Sequence, residues 1–158
     1  MKLITIMAAS SALLAFAGTA AAQDNGAYGH IGVEALDYDG ASGNIVGRVG
    51  YDFAQYFGVE GEGSVGVMDD NDDFKIDYKV AGFVRAKAPI GEQFEVFSRV
   101  GYYHVDSELG DADGLAFGGG LEYFLNPSKK DSLRLDYTHL EARIGNADVY
   151  AITYGRRF

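Results

Sequence analysis

The chain has 158 residues, which suits one domain of ordinary size. Its 13 Lys and Arg stand against 23 Asp and Glu, a formal net charge of -10, which argues against nucleic-acid binding through phosphate neutralisation. Cysteine is absent, so disulfides, thiolate metal sites and cysteine nucleophiles are excluded. The 22 Gly are about twice the usual share, while Pro falls to 2 and Tyr and Phe reach 11 and 10. That balance suits a β protein under tight steric constraint.

Residues 1–22 read as a secretory signal peptide. Lys2 is the only charge before Asp24, an apolar run extends from Leu3 to Ala17, and Ala20, Ala21 and Ala22 supply small residues for cleavage. The run is short for a membrane span and carries Thr5, Ser10 and Ser11. The mature domain is therefore expected over 23–158. An exported chain without cysteine fits a Gram-negative cell envelope.

From there on, polarity alternates with period two. The alternation predicts eight strands, at 27–37, 44–53, 56–68, 74–87, 94–105, 114–125, 132–140 and 148–158. In the fourth, Phe74, Ile76, Tyr78, Val80 and Val84 fall on one face, and Lys75, Asp77, Lys79, Arg85 and Lys87 on the other. Tight turns are expected at 52–56, 88–93 and 126–131, the last two holding Pro89 and Pro127. The other connections, at 37–44, 68–73, 106–113 and 141–147, are acidic and read as loops.

Alternation alone fits a soluble barrel or sandwich as well as a membrane barrel, because it does not say which face is inside. Three features favour the membrane. The charged face carries Gly32, Gly50, Gly58, Gly66, Gly101, Gly118, Gly120 and Gly155, small residues that a narrow lumen needs and a wet surface does not. Aromatics on the apolar face gather at both ends, with Phe53, Phe57, Phe94, Tyr123 and Phe158 near the turns, and Phe74, Tyr78, Tyr102, Tyr137 and Tyr150 near the acidic loops. Aliphatics such as Val49, Val59, Val80, Val100, Leu135 and Ile152 lie between, as in a lipid-facing band with two interfacial girdles. The strands are also long enough to cross a bilayer at a tilt, which takes roughly 9–11 residues. The expected fold is an all-β, eight-stranded antiparallel transmembrane up-and-down β-barrel, both termini periplasmic.

Inward charges are expected at Glu34, Arg48, Glu60, Glu62, Lys75, Asp77, Lys79, Arg85, Arg99, Glu122, Arg134 and Asp136. They alternate in sign between neighbouring strands, and unpaired buried charge is costly, so they should pair. The simplest reading is a polar core; the alternative is a narrow ion or water conduit gated by ion-pair switching. A wide pore is excluded by the strand number.

Enzyme chemistry finds little support. His30, His104 and His139 sit in no nucleophile-elbow or metal motif, although Asp106, Ser107 or Glu141 lie near the latter two. Asp69, Asn71 and Asp73 open like a calcium loop, but Phe74 stands where Gly is required and the closing Glu is missing. No metal or cofactor is expected.

Three stretches carry a family resemblance. They are Gly47-Arg-Val-Gly-Tyr-Asp-Phe53 leading into Gly58-Val-Glu-Gly-Glu62, then Gly118-Gly-Gly-Leu-Glu-Tyr-Phe124, and the end Tyr150-Ala-Ile-Thr-Tyr-Gly-Arg-Arg-Phe158. With the leader, the mature chain resembles the OmpA-like/OmpX-like small outer-membrane β-barrels. The resemblance implies an outer-membrane location and a structural, envelope-integrity role. Tyr150, Ile152, Tyr154 and Phe158 resemble the terminal signal read by the β-barrel assembly machinery. The implied partners are outer-membrane lipid and lipopolysaccharide, with that machinery during insertion, and the implied state is a monomer. Loop-mediated binding or adhesion is the alternative, and a lipid-modifying enzyme a more distant one.

Overall fold

The computed structural model describes residues 26–37, 41–69, 76–107, 110–143 and 145–158. Eight strands follow in chain order: β1 (Ala27–Asp37), β2 (Ala41–Asp52), β3 (Phe57–Asp69), β4 (Ile76–Ile90), β5 (Phe94–Ser107), β6 (Gly110–Phe124), β7 (Asp131–Ala142) and β8 (Gly145–Arg157). Each pairs antiparallel with the next, and β1 closes on β8 from Tyr28↔Arg157 to Asp37↔Asp148. Closure satisfies the backbone of every strand without an edge, the condition for β structure in hydrocarbon.

The lipid-type face is outside. Val59, Val80, Val100, Leu135 and Ile152 are exposed, although each is apolar. Exposed Phe53, Phe57, Phe94 and Phe158 ring the short-turn end, and exposed Tyr102, Tyr137 and Tyr150 ring the loop end. Neighbouring rings touch within these girdles: Phe94 and Tyr123 have centroids 4.9 Å apart, and Tyr137 and Tyr150 5.3 Å. Phe74 lies outside the described residues.

Two expectations about connections need correction. Pro89 lies within β4, opposite Glu95, and not in a turn. The β3–β4 ladder begins only at Phe57↔Ala86, so at Pro89 the strand has no neighbour on that side and its missing N–H breaks no ladder bond. At the loop end, the strands run on through most of the acidic residues. Asp106, Asp111, Asp113 and Glu141 are strand residues, leaving connections of only two residues after β5 and after β7. Acidic residues are poor strand formers on a scale that measures packing, and here they simply face water beyond the girdle.

The small residues of the inner wall let large neighbours lie flat. A side chain at Gly50 would enter the Tyr28 ring at 2.2 Å, and one at Gly155 would enter the His30 ring at the same distance. Both rings are buried in the lumen, edge to face with centroids 5.4 Å apart.

Candidate functional site: the barrel lumen

The pleat sends alternate side chains inward, and the lumen they fill has two kinds of layer. Towards the short-turn end it is charged; towards the loop end an apolar cluster on β4–β8 and β1 stands beside polar residues on β2–β4. Glu34, Arg48, Glu60, Glu62, Lys79, Arg85, Arg99, Glu122, Arg134 and Asp136 are all buried in the charged part. Lys75 lies outside the described residues, as does the side chain of Asp77.

The charges fall into two groups with no ion pair between them among the described residues. The group nearer the middle is built on Glu60, Glu62 and Asp136. Arg134 donates to Glu60 at 2.6 Å, and Arg99 donates to Glu60 and Glu62, each at 2.8 Å. Arg48 reaches Glu62 and Asp136, both at 2.7 Å. Lys79 bridges Glu62 and Glu34, both at 2.9 Å. Tyr28 adds a hydroxyl to Glu60, and Thr138 accepts from Arg99. Four carboxylates thus meet four cations.

The second group lies at the short-turn end, where Arg85 binds Glu95 at 2.8 Å and Glu122 at 2.9 Å. Lys87 binds Asp52, and Arg157 reaches Asp52 at 3.1 Å and Glu95 at 3.4 Å. His30 stands 3.7 Å from Glu122, and Ser132 donates to the same carboxylate at 2.7 Å. Three carboxylates meet three cations, so with a neutral imidazole each group is balanced by itself.

Neighbouring strands do not dictate these partners. Arg48 pairs with its register partner Glu62, but Arg134 passes over its own, Glu122, and crosses the lumen to Glu60. Arg85 and Arg99 are register partners of like sign, and each turns to carboxylates on other strands. The bonds brace the barrel across its diameter.

Aromatic rings separate the groups. The guanidinium of Arg134 lies 3.8 Å from the Phe97 ring centroid and that of Arg85 4.7 Å, while Arg99 lies 4.3 Å from Phe83. Nε of Arg85, Arg99 and Arg134 finds no hydrogen-bond acceptor, and stacking on a ring face is how these cations are accommodated. At the loop end Phe83 packs with Leu36, Tyr103, Val105, Ala116, Leu140 and Val149 in an apolar cluster, while Ser42, Asn44, Ser64 and Lys79 keep the β2–β4 side of the same level polar.

Several of these residues escape a reading of mid-strand charges. Asp52, Lys87, Glu95 and Arg157 sit at strand ends, but they continue the inward parity of their strands. Phe83, Phe97 and the apolar layer break the rule that inward means polar.

The outer wall carries a pattern that follows from neither hydropathy nor charge. Residues 102–113, YYHVDSELGDAD, and 137–148, YTHLEARIGNAD, match at Tyr, His, Gly, Ala and Asp. The hairpins β5–β6 and β7–β8 are structural repeats. Gly110 and Gly145 occupy equivalent places with φ of 124° and 149°. In each hairpin the Tyr hydroxyl donates to the Asp, Tyr102 to Asp113 and Tyr137 to Asp148. His139 Nδ1 lies 2.7 Å from Asp148, so its carboxylate partner is Asp148 and not Glu141. Its ring packs on Phe117 at 5.2 Å, and His104 lies 6.3 Å from the ring of Tyr78. A search for internal repeats would have found this pair.

A closed eight-stranded barrel with an aliphatic outer band, two aromatic girdles and a polar interior defines a small transmembrane β-barrel. Residues 6–158 match the family model for the outer membrane protein beta-barrel domain, and the chain belongs to that family. No curated protein is similar in sequence at a significant level. Solved structures share the fold. Ail of Yersinia pestis, in complex with the heparin analogue sucrose octasulfate, is 18% identical with a TM-score of 0.59, over 86% of this chain and all (100%) of that one. The N-terminal β-barrel domain of Pseudomonas aeruginosa OprF is 10% identical with a TM-score of 0.67, over 85% and 100%. OprG from Pseudomonas aeruginosa is 14% identical with a TM-score of 0.61, over 84% and 96%.

Proposed function

We propose that this protein is a structural element of the outer membrane, a small monomeric barrel whose lumen is a core and not a channel. The carrying observation is the filling of the lumen. A balanced ion-pair lattice occupies its length up to Lys79 and Glu34, and the apolar cluster around Phe83 and Leu140 fills the space beside its loop end. Water or an ion crossing the barrel would have to break that lattice. Residues 1–22 direct export, the short-turn end faces the periplasm, and the loop end faces outward. Tyr150, Ile152 and Tyr154 face outward along β8 and are exposed, as is the terminal Phe158, so the assembly machinery can reach them. After insertion the partners are outer-membrane lipid and lipopolysaccharide. No catalytic role is assigned to the three histidines.

Planar-bilayer recording tests the closed lumen. Wild type should show no unitary steps. Arg85→Ala and Arg99→Ala should stay silent too, since the Lys79 bridge to Glu34 and Glu62 remains in place. Reproducible steps from wild type would replace this reading with the gated conduit. Membrane fractionation with gel mobility of unheated against boiled protein tests the location. A soluble protein with no heat-dependent shift would end the membrane reading altogether.

A further inference from the structure

Cations outside the lumen are few and unevenly spread. Among the described residues only Lys129, Lys130, Arg143 and Arg156 are exposed; the others are buried in the lumen or, like Arg157, turn into its mouth. Three of the four gather at the short-turn end, where the turn after β6 meets the start of β7 and the end of β8. Asn126 builds that turn. Its side-chain oxygen accepts from Ser128 at 2.9 Å and from the Lys130 amide at 3.0 Å, and its carbonyl accepts from the Lys129 amide at 3.0 Å. The Arg157 amide donates to the Lys130 carbonyl at 2.7 Å, which docks the turn on β8. Arg156 points outward from β8, its side chain 59% exposed. One carboxylate, Asp131, lies among these cations and is already engaged. Tyr154 donates to it at 2.6 Å and Asn126 at 2.8 Å, while Arg156 stands off at 3.5 Å. Even with the terminal carboxylate of Phe158 counted, cations are in excess, three to two. Beside the patch on the outer wall, Leu133 and Tyr154 face each other in register and are exposed.

We propose that this sector seats an anionic glycerophospholipid of the periplasmic leaflet, its phosphate between Arg156 and Lys130 and its acyl chains along Leu133 and Tyr154. The charge excess selects the class. A phosphodiester carries one negative charge, which guanidinium and ammonium donors hold where the neighbouring carboxylate is otherwise occupied. A headgroup with its own ammonium brings no net charge to the patch and meets like charge at Lys129. Arg and Lys beside an aromatic girdle lay their stems on the apolar wall and hold their heads at phosphate depth. The proposal rests on a barrel embedded in lipid with its short-turn end towards the periplasm, as set out above, but does not depend on whether its lumen conducts.

Native mass spectrometry of the purified protein in detergent, titrated with phosphatidylglycerol, phosphatidylethanolamine or phosphatidylcholine, tests this. Each sample is first checked for the heat-dependent gel shift of a folded barrel. Phosphatidylglycerol should bind about tenfold more tightly than either zwitterionic lipid. Lys130→Gln with Arg156→Gln should bring that ratio to about twofold or less. If that pair does not fold, Lys129→Gln with Lys130→Gln, both in the exposed turn, should lower the ratio in the same direction. Arg143→Gln, which removes the one exposed cation described at the loop end, should leave the ratio unchanged. Equal binding of the three lipids by a folded wild-type barrel overturns the assignment and leaves the barrel reading intact. A preference for phosphatidylglycerol that survives the paired substitutions, or that disappears with Arg143→Gln, also overturns it. A protein that shows no heat-dependent shift and no membrane association removes both readings.

Discussion

The two parts of the lumen share the same strands but are built by different rules. In the charged part, Arg134, Arg99 and Arg48 each hold carboxylates on strands that are not their neighbours. In the apolar part, Ala116 and Leu140 face each other in register and need nothing beyond fit. The first is specified by partners, so its members stand or fall together. The second is specified by volume, so each member contributes its own share. Both fill the barrel, but only the first resists piecemeal change.

Breaking a buried ion pair on one side should show this most strongly. Arg134→Ala leaves Glu60 buried with one cation fewer and should cost about 3–5 kcal/mol. Urea titration of the barrel in lipid vesicles would measure it. Adding Glu60→Gln should restore part of the loss, so the double variant is more stable than Arg134→Ala alone, a sign of coupling. Leu140→Ala should cost about 2–4 kcal/mol by the same titration, from lost burial and the cavity left behind. Combined with Glu60→Gln, its effect should add, since no hydrogen bond or ring contact joins Leu140 itself to the lattice. If Leu140→Ala proves costlier than Arg134→Ala, or couples to Glu60, the division of the lumen into two layers fails.

How legible each part was in the sequence follows from the same contrast. The outward face was clear because lipid demands an apolar residue at every second place, as at Val80, Val84 and Val100, and period two exposes that demand directly. The inward charges were legible as a set, since a charge opposite such residues has only the lumen to enter. Their partners were not, because strand order and parity place the start of each side chain but not how far a long one reaches across the lumen. Arg134 beside Glu122 looks like a pair, yet the guanidinium spans the lumen to Glu60. The apolar inner layer stayed hidden because Leu36 and Val149 are apolar like the lipid face, and only their parity marks them as inward. The strand ends were lost for a related reason. Asp111, Asp113 and Glu141 lie on strand ends beyond the aromatic girdle, where the polarity rule no longer applies.

A smaller effect probes the boundary between the rules, where a small residue makes room for a large polar one. Gly155→Ala pushes a methyl into the His30 ring and should cost about 1–3 kcal/mol, as overpacking does. His30→Ala in the same chain should return most of that loss, because the space is shared. Failure of the rescue would mean that Gly155 is needed for backbone reasons and not to house the imidazole.

The smallest effect belongs outside the lumen, on the repeated hairpins. Tyr137 donates to Asp148, but the same carboxylate oxygen also holds His139 at 2.7 Å, and Tyr137 and the Asp148 side chain are both exposed. Tyr137→Phe therefore removes a bond whose partner keeps another, at a place where solvent replaces what is lost. The ring, which supplies the girdle contact with Tyr150, remains. The urea midpoint should stay within error of wild type. Tyr102→Phe, its counterpart in the first hairpin, should behave alike if the repeats are equivalent on the outer wall. A midpoint shift in either variant as large as that of Gly155→Ala would show that the rim hydrogen bonds brace the barrel as the buried ones do, and that burial is not what separates the two.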